Sequence, residues 1–281
     1  MLIAMRLLAA LPLPVLHALG WLAGGLVFPW LRRAGDVTDN LRQAGLGHPA
    51  VTRRARVGVA RMLIESLAVW LRPFPKAMTL VREVRGWEHV EAARAAGKGI
   101  LALEPHLGNW ELGGLYLGQF IPVTFLYRPA PQDWADELTR RGRERGGVRL
   151  ATPDMKGVRA MLQALKRGEG VGVLPDQVAS KGDGVWAPFF GRPAYTPTLA
   201  FRLLQSTGAV ALILFCERLA WGRGFRLHVL PAPDFSTDPV EAAGQLNRCL
   251  EDLIRQYPDQ YLWTYRRYKR PKGAPPPGAT A

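Results

Sequence analysis

The sequence predicts an α/β protein whose central, mostly buried sheet is flanked by helices and preceded by a hydrophobic, membrane-anchoring N-terminal helix. Short apolar runs typical of buried strands alternate with segments of helical periodicity from about residue 81 to residue 256. The first 31 residues are almost wholly apolar, with Arg6 as their one charged residue. Hydrophobic residues make up 48% of the 281 residues, which suffices for a large core and excludes intrinsic disorder.

The N-terminal segment, residues 1–31, is predicted to be a membrane anchor. A helix of this length would be about 45 Å long, enough to cross a bilayer with tilt. Pro12, Pro14 and Pro29 interrupt it, so a kinked helix or a re-entrant, partly inserted helix is also consistent with the pattern. The alternatives are a cleaved signal peptide, which the long apolar run disfavours, and a buried N-terminal helix of a soluble core.

Arginines crowd the positions after the apolar segment, opposed only by Asp36 and Asp39. They are Arg32, Arg33, Arg42, Arg53, Arg54, Arg56 and Arg61. By the positive-inside tendency this bias predicts that the downstream chain lies in the cytoplasm. Basic residues beside an anchor also attract anionic headgroups, and Trp21 and Trp30 suit the interface level of a membrane.

Proline and glycine residues delimit the elements of the remaining chain. Pro73 and Pro75 end a helix that begins near residue 51, and Gly97 stops a helix that begins at Trp87. The predicted helices cover residues 51–71, 87–96, 110–118, 133–142, 156–166, 196–206 and 239–256. The predicted strands cover residues 81–84, 99–103, 123–127, 171–174, 210–215 and 225–230. This alternation is typical of an α/β domain.

The domain organisation follows from the lack of a Pro- or Gly-rich linker inside residues 76–270. A single domain is predicted over residues 32–272, with a helical, basic lead-in at residues 32–75. The last residues, 273–281, form a Pro/Gly/Ala tail that is expected to be disordered.

The net charge limits the classes of binding partner that the protein can have. The cysteine and histidine content argues against a bound metal. Lys and Arg number 37 against 23 Asp and Glu, a formal charge of +14. An anionic membrane, a phosphorylated substrate or nucleic acid would each match that charge. Two cysteines, Cys216 and Cys249, exclude a disulfide scaffold and cannot alone form a four-ligand zinc site. The five histidines show no pair at metal-ligand spacing, so no metal is expected.

The most informative stretch is Glu-Pro-His-Leu-Gly-Asn-Trp-Glu at residues 104–111, between a predicted strand and a predicted helix. Such a position is where an α/β sheet presents its active groups. Asn109 is expected to cap the helix, whose N-terminus favours negative charge. His106 and Glu111 lie about 140° apart on a regular helix, so they meet only if His106 sits in the turn. Glu111 would then hold one imidazole nitrogen and leave the other as a base.

The histidine has no serine or cysteine elbow beside it. The pattern G-x-S-x-G is absent, so the expected nucleophile is a hydroxyl of the substrate. A His with a Glu five residues later is a weak signal by itself, and a structural role for the pair is the alternative.

The stretch H-L-G-N-W-E resembles the H-x4-D/E motif of glycerolipid-type acyltransferases, and in this form the lipid A biosynthesis acyltransferases of the lauroyl and myristoyl type. The likeness covers about residues 33–272. In order, it continues with Tyr127-Arg128-Pro129, Arg143, Leu174-Pro175-Asp176-Gln177, Pro188-Phe189-Phe190-Gly191, and Tyr261-Leu262-Trp263 with Arg266, Arg267, Lys269 and Pro271. The V-L-P-D-Q sequence, in place of the F-P-E-G-T-like motif of glycerophosphate acyltransferases, favours the lipid A branch.

The resemblance implies the catalytic positions residue by residue. It places His106 as the general base and Glu111 as its orienting partner. Arg143 is implied to bind a phosphate or to stabilise the thioester oxyanion, a suitable task for a guanidinium; a solvated helix face is the alternative. Asp176 is implied to position an active-site Arg or a substrate hydroxyl, with a plain turn residue as the alternative.

Three further residues complete the expected substrate-binding and oxyanion set. The backbone amides of Gly108 and Asn109 are expected to contribute to an oxyanion site, and Arg128 is a candidate for substrate binding.

The resemblance also implies the reaction and its partners. In that family an acyl chain passes from an acyl carrier protein thioester to a hydroxyl of a 3-hydroxyacyl chain on a lipid A precursor. No cofactor is expected besides acyl-ACP or acyl-CoA as co-substrate. The implied partners are the acyl carrier protein, a glycolipid acceptor and the inner membrane, with the catalytic domain on the cytoplasmic side and no nucleic acid bound. The alternatives are an acyltransferase for another glycolipid or phospholipid, and a non-catalytic basic protein that binds membranes or nucleic acid.

Overall fold

A computed structural model describes residues 2–180 and 182–278 of the chain. Within those ranges the strands are β1 (Val81–Arg85), β2 (Ile100–Leu103), β3 (Val123–Leu126), β4 (Val148–Ala151), β5 (Gly170–Val173), β6 (Gly184–Phe189), β7 (Arg192–Pro197), β8 (Val210–Arg218) and β9 (Phe225–Pro231). Seven of them form one sheet in the order β1-β9-β8-β2-β5-β3-β4, and β6 and β7 form an antiparallel hairpin. Strands β8, β2, β5, β3 and β4 are mutually parallel, whereas β9 runs antiparallel to β8.

Helices cover both faces of the sheet and build the N-terminal region. They are α1 (Leu2–Ala10), α2 (Leu13–Leu22), α3 (Arg33–Gln43), α4 (Pro49–Leu71), α5 (Phe74–Met78), α6 (Trp87–Ala95), α7 (Trp110–Leu117), α8 (Asp133–Arg143), α9 (Met155–Lys166), α10 (Leu199–Thr207) and α11 (Pro239–Gln256). The predicted α/β architecture with a central sheet is therefore confirmed.

The sheet is buried on both faces because its central strands are continuous apolar runs. All four residues of β2 are buried, and alternate residues point to opposite faces. Leu101 and Leu103 pack in one hydrophobic cluster with α9, α10 and α11. Ile100 and Ala102 pack in the other cluster, with residues of α4, α6 and α7. Two cores thus hold the carboxyl ends of the parallel strands in fixed positions.

The largest departure from the predicted elements is the β6–β7 hairpin. The predicted helix at residues 196–206 begins only at Leu199, since Thr196 and Pro197 belong to β7 and pair with β6. Pro197 has a fixed φ and no N–H, so its immediate neighbours are poor helix interior positions. The short edge strand β4 and the polar helix α3 are further elements that the apolar pattern did not predict.

The N-terminal segment is broken into several pieces rather than forming one helix of about 45 Å. Helix α1 ends at Ala10, α2 begins at Leu13, and a π-helical turn and a 3-10 turn continue the chain to Trp30. Pro12 separates α1 from α2, as expected for a residue that cannot continue a helix. By length and composition the stretch Leu13–Trp30 can cross a membrane, and it forms a candidate membrane anchor.

The C-terminal tail contacts the domain over its described part. Residues 273–278 form neither helix nor strand, yet Ala274 is buried beside Ala179 and Tyr195. The Trp186 indole donates a hydrogen bond of 2.8 Å to the Pro275 carbonyl. Residues 279–281 of the predicted tail lie outside the described residues.

Candidate active site

Two adjacent parallel strands bring the candidate residues to one edge of the sheet. Strand β2 leads into the loop 104–109 that carries His106, and β5 leads into Asp176 and Gln177. Because the carboxyl ends of neighbouring parallel strands lie side by side, residues about 70 positions apart become neighbours. The predicted location at the carboxyl edge of the sheet agrees with this geometry.

The loop before α7 is shaped by Gly108. This residue has φ +64°, and a Cβ there would lie 1.9 Å from the Cys216 carbonyl oxygen, so only glycine fits. Its N–H donates to the Gln260 carbonyl, and the Asn109 N–H donates to the Cys216 carbonyl, each at 2.9 Å. These amides are occupied by the fold. The expectation that they contribute to an oxyanion site is wrong for this arrangement.

Asn109 also departs from its expected role as a side-chain cap. The residue is fully buried before α7, and its side chain makes no capping hydrogen bond. Both polar atoms of its amide lack a partner among the described residues. The first turn of α7 is held instead by the bridge of the loop to β8.

His106 is held by Asp176. The imidazole Nδ1 lies 2.8 Å from Asp176 Oδ1, and the His106 backbone N–H donates to Oδ2 at 3.0 Å. The Asp176 side chain is 1% exposed. Burial opposes its ionisation, but the imidazole and the backbone N–H outweigh burial and hold the pKa of Asp176 below its usual value. An ionised Asp176 fixes the proton on Nδ1 and leaves the lone pair on Nε2.

The second imidazole nitrogen faces Gln177, a residue that sequence reasoning did not assign to the site. Its side-chain nitrogen lies 3.0 Å from His106 Nε2, so the amide donates to the Nε2 lone pair in this tautomer. Trp110 stacks edge-on against the imidazole at 4.8 Å between ring centroids. The one sequence feature that could have identified Gln177 as a site residue is its position next to Asp176.

Glu111 does not hold the imidazole as predicted. Its Oε2 accepts hydrogen bonds from Arg143 Nε at 2.8 Å and from the Trp70 indole at 2.9 Å, and its Oε1 accepts from Arg143 Nη2. From the first turn of α7 this carboxylate contacts the end of α8 and α4, and no hydrogen bond joins it to His106 within the described residues. The structure therefore corrects the orienting partner of His106 from Glu111 to Asp176.

Glu111 and Arg143 form a charged pair. Burial raises the pKa of Glu111, but Arg143, Trp70 and His106 together bring it below its usual value. Burial lowers the pKa of Arg143, and the Glu111 carboxylate more than offsets it, so the guanidinium pKa is raised. Trp70, on α4 and 41 residues before Glu111, carries no signal in the sequence.

Arg143 differs in its contacts from the neighbouring arginines at the end of α8 and just beyond it. Arg143 contacts Glu111, whereas Arg140 and Arg141 pair with the exposed carboxylates of Glu144 and Glu137. Arg145 donates to the backbone carbonyls of Arg72 and Val69. Of these four arginines, Arg143 is the one that reaches the site.

Arg128 stands apart from the other candidates. It is exposed and donates a hydrogen bond of 3.3 Å to Ser180 Oγ. No hydrogen bond or ion pair joins it to His106, Asp176 or Glu111 within the described residues.

A small, partly open cavity lies beside the Glu111–Arg143 pair. Its walls are mostly apolar and come from α7, β3 and β4, including Leu115, Phe125, Val148 and Leu150. Glu104 also lines it, and burial together with the nearby Glu111 charge raises the pKa of Glu104 well above its usual value. Its Oε1 atom has no hydrogen-bond partner in the described part of the chain. Apolar walls with few polar groups suit a lipid chain.

The arrangement of possible metal ligands in the described part of the chain offers no cluster for a metal ion. Among the described residues no group of three or more His, Cys, Asp or Glu side chains is placed to hold a metal ion.

The site consists of a histidine held by a carboxylate at the carboxyl edge of an α/β sheet, with the Glu111–Arg143 pair and its apolar cavity on the helix that follows. The model of the bacterial lipid A biosynthesis acyltransferase family matches residues 1–270, and the chain belongs to that family. It is an O-acyltransferase of the lipid A biosynthesis type, which confirms the family resemblance.

Individual relatives agree with that assignment. The lipid A biosynthesis palmitoleoyltransferase of Escherichia coli is 30% identical over 272 residues, covering 94% of this chain and 88% of that protein. The lipid A biosynthesis lauroyltransferase of the same organism is 30% identical over 282 residues, with 96% and 90% covered. A phosphatidylinositol mannoside acyltransferase of Mycobacterium tuberculosis is 30% identical over 177 residues, with 60% and 54% covered.

Proposed function

We propose that the protein transfers a fatty acyl chain from an acyl carrier protein thioester to a hydroxyl of a lipid A precursor at the cytoplasmic face of the bacterial inner membrane. Family membership supports an acyltransferase acting on lipid A. The observation that carries the mechanism is the 2.8 Å contact between His106 Nδ1 and Asp176. It leaves Nε2 as the proton acceptor of a general base.

In the proposed step the acceptor hydroxyl displaces the Gln177 amide from His106 Nε2. The hydroxyl proton passes to Nε2 while its oxygen attacks the thioester carbonyl carbon, and a tetrahedral intermediate forms. Collapse of the intermediate breaks the carbon–sulfur bond, and the departing thiolate takes the proton from the imidazolium. Asp176 stays ionised throughout and stabilises the imidazolium. The products are an ester and a free thiol, and His106 returns to its starting state.

Arg143 supplies positive charge next to this step. Its Nε and Nη2 groups bind Glu111, and its side chain is 30% exposed, which leaves Nη1 for substrate. A guanidinium there stabilises the thioester oxyanion or binds a phosphate of the acceptor. Glu111 is then a positioning residue that holds Arg143 in the lining of the cavity.

The cavity beside this pair is the proposed site for the acyl chain. Phe125 forms one of its walls, and a Cβ at Gly114 or Gly172 would lie within about 2 Å of the Phe125 ring. The glycines thus let the aromatic ring pack tightly between α7 and β5. The position of this wall is therefore fixed by packing, which supports discrimination between acyl chains that contact it.

The test is an assay of the purified protein with acyl-ACP, acyl-CoA and a lipid A precursor. We expect one acyl chain to be added in ester linkage, seen as the product mass, with acyl-ACP as the preferred donor. His106→Ala removes the base and is expected to lower the rate by roughly 10²–10⁴-fold. His89→Ala, on α6 and away from the site, is the matched control and should retain activity.

The outcomes separate the proposal from its main alternative. Acylation of a phosphatidylinositol mannoside or another glycolipid, in preference to the lipid A precursor, would overturn the acceptor assignment. That candidate is worth including because of the Mycobacterium tuberculosis relative. Near-normal transfer by His106→Ala would overturn the mechanism.

A further inference from the structure

We propose that the N-terminal helices and the β8–β9 loop form one membrane-inserted surface, so that residues 13–30 lie along an anionic bilayer and do not cross it. The surface consists of the exposed apolar residues of the first 31 positions together with Trp221. This proposal shares with the proposed function the need for a membrane, but it does not rest on acyl transfer.

One face of the apolar segment is packed against the domain. Leu16, His17 and Gly20 of α2 are buried, as are Gly24 and Phe28 beyond it. A Cβ at Gly20 would lie 2.6 Å from the Arg61 side chain, and one at Gly24 would lie 2.4 Å from the Val57 Cα. Residues 16–28 therefore run in close contact with α4.

Polar contacts fasten the same segment to charged residues of the domain. His17 Nε2 lies 2.6 Å from the buried Glu65 of α4, which pairs with the buried Arg218 of β8. Arg61 donates to the His17 carbonyl at 3.1 Å, and Arg72 donates to the Ala9 and Leu11 carbonyls at 2.7 Å. A segment that crossed the bilayer in this arrangement would carry these charged groups into the hydrocarbon core, where ionised side chains are costly.

The opposite face of the segment is apolar and exposed. Large hydrophobic side chains exposed within the first 31 positions are Leu2, Ile3, Leu7, Leu11, Val15, Trp21, Leu22, Leu26, Val27, Trp30 and Leu31. So many exposed apolar side chains in one short segment are atypical of a soluble monomer and mark an interaction site. Helices that are apolar on one side and docked on the other suit insertion in the plane of a membrane interface.

Trp221 extends this surface from a second part of the chain. It lies in the turn between β8 and β9, is 90% exposed, and adopts φ +60°, a strained conformation for a bulky residue. The turn lies against α2, because a Cβ at Gly222 would be 2.5 Å from the Pro14 Cα. An exposed tryptophan beside an apolar helix is typical of the membrane interface.

The positive charge around the exposed apolar surface favours an anionic bilayer as its binding partner. The first 35 residues contain no Asp or Glu. Exposed arginines flank the apolar face, namely Arg6, Arg32 and Arg33 in the N-terminal region and Arg223 next to Trp221. Arginines near a bilayer surface are attracted to anionic lipids.

This surface also brings the site close to the bilayer. Trp221 lies three residues beyond the carboxyl end of β8, the strand whose Cys216 pairs with Gly108 of the His106 loop. His106 and Trp221 therefore share one edge of the sheet, which gives a lipid acceptor a short path from the membrane to the site.

Vesicle binding tests the contribution of Trp221. The full chain is mixed with sedimentable vesicles of phosphatidylethanolamine and phosphatidylglycerol, or of phosphatidylcholine alone. We expect stronger partition into the anionic vesicles, and about tenfold weaker partition for Trp221→Ser, since burial of one aromatic side chain contributes on this scale. Trp134→Ser, a half-exposed tryptophan on α8, is the matched control and should bind as the wild type does. Equal binding by Trp221→Ser, or an equal loss in both variants, would overturn the proposal.

Sidedness tests the in-plane arrangement without any change at Trp221. Arg6→Cys and Arg223→Cys are each made in a Cys249→Ser background, in which the remaining Cys216 is buried. A membrane-impermeant maleimide is then added to sealed, cytoplasmic-side-out membranes. Labelling of both cysteines from the outside is the expected result, and labelling of Arg6→Cys only after permeabilisation would show a crossing segment. A chain that self-associates through this face without lipid would also contradict the proposal. Neither readout measures acyl transfer, so an inactive but inserted protein would overturn the proposed function alone.

Discussion

At the scale of single residues, the two carboxylates of the site have different tasks. Asp176 contacts the imidazole of His106, and Glu111 contacts Arg143 and Trp70. Both carboxylates have lowered pKa values although both are buried, because each has its own cationic or hydrogen-bonding partner. The family resemblance implied Glu111 as the partner of His106, although a spacing of five residues was a weak signal by itself.

Variants of the two carboxylates distinguish these tasks. We expect Asp176→Asn to abolish the low-field NMR resonance of the His106 Nδ1–H, because the acceptor charge is gone. Glu111→Gln should retain that resonance but lower the free energy of unfolding by about 3 kcal/mol, since it leaves Arg143 partly buried without its counter-ion. Glu144→Gln, which removes an exposed ion pair with Arg140, should cost less than about 1 kcal/mol. Loss of the resonance in Glu111→Gln would restore the original assignment of Glu111.

At the scale of elements, continuous apolar runs and helix punctuation predicted most of the sheet and its helices. The predicted α11 has the observed bounds, and β2 and β5 were found to within one residue. Helix α3 was missed because its sequence is polar and includes Gly35. The β6–β7 hairpin was missed because Pro188, Pro193 and Pro197 weaken the strand pattern, whereas its stability comes from pairing and from contact with α11.

The geometry of the site also depends on contacts between distant parts of the chain, which sequence patterns do not show. The motif around His106 and the Asp176 position were both found from the sequence, and both follow predicted strands. The sequence alone does not tell which strands are neighbours, so it could not show that β5 lies next to β2. The hydrogen bond between His106 and Asp176 depends on that adjacency.

Glu65 of α4 forms a buried pair with Arg218 of β8 and contacts His17 of α2. The stability that this pair contributes has a predictable dependence on pH. Burial opposes ionisation of Glu65, but Arg218 and His17 lower its pKa to about 2. Its folded-state pKa is thus below the ordinary value of 4.5, so its contribution to stability is complete above about pH 4.5 and is lost as the pH falls toward 2. We expect Glu65→Gln to lower the free energy of unfolding by about 3 kcal/mol at pH 7, with a smaller difference from the wild type at acidic pH.

Chemical denaturation of both proteins across this pH range is the measurement. Glu137→Gln, whose carboxylate forms an exposed pair with Arg141, serves as the control and should follow the wild type at every pH. A difference between Glu65→Gln and the wild type that stays constant down to pH 2 would contradict the assigned linkage.

At the scale of the whole molecule, some of the arginines behind the net charge of +14 lie at the site and beside the proposed membrane surface. Arg143 lies at the cavity, and exposed arginines flank the apolar N-terminal face. The apolar face, the His106 loop and the end of β8 occupy one side of the sheet edge. This arrangement is the one that the proposed function requires, in which the lipid acceptor enters from a bilayer.

The most direct measurement of the central claim compares the steady-state rates of His106→Ala, Asp176→Asn and the double variant with acyl-ACP and the lipid A precursor. If the two residues act as one base, each single change should lower kcat by roughly 10²–10⁴-fold. The double variant should then be about as slow as His106→Ala alone, because residues that act as a unit are not additive. Near-normal transfer by Asp176→Asn, or losses that multiply in the double variant, would contradict the account.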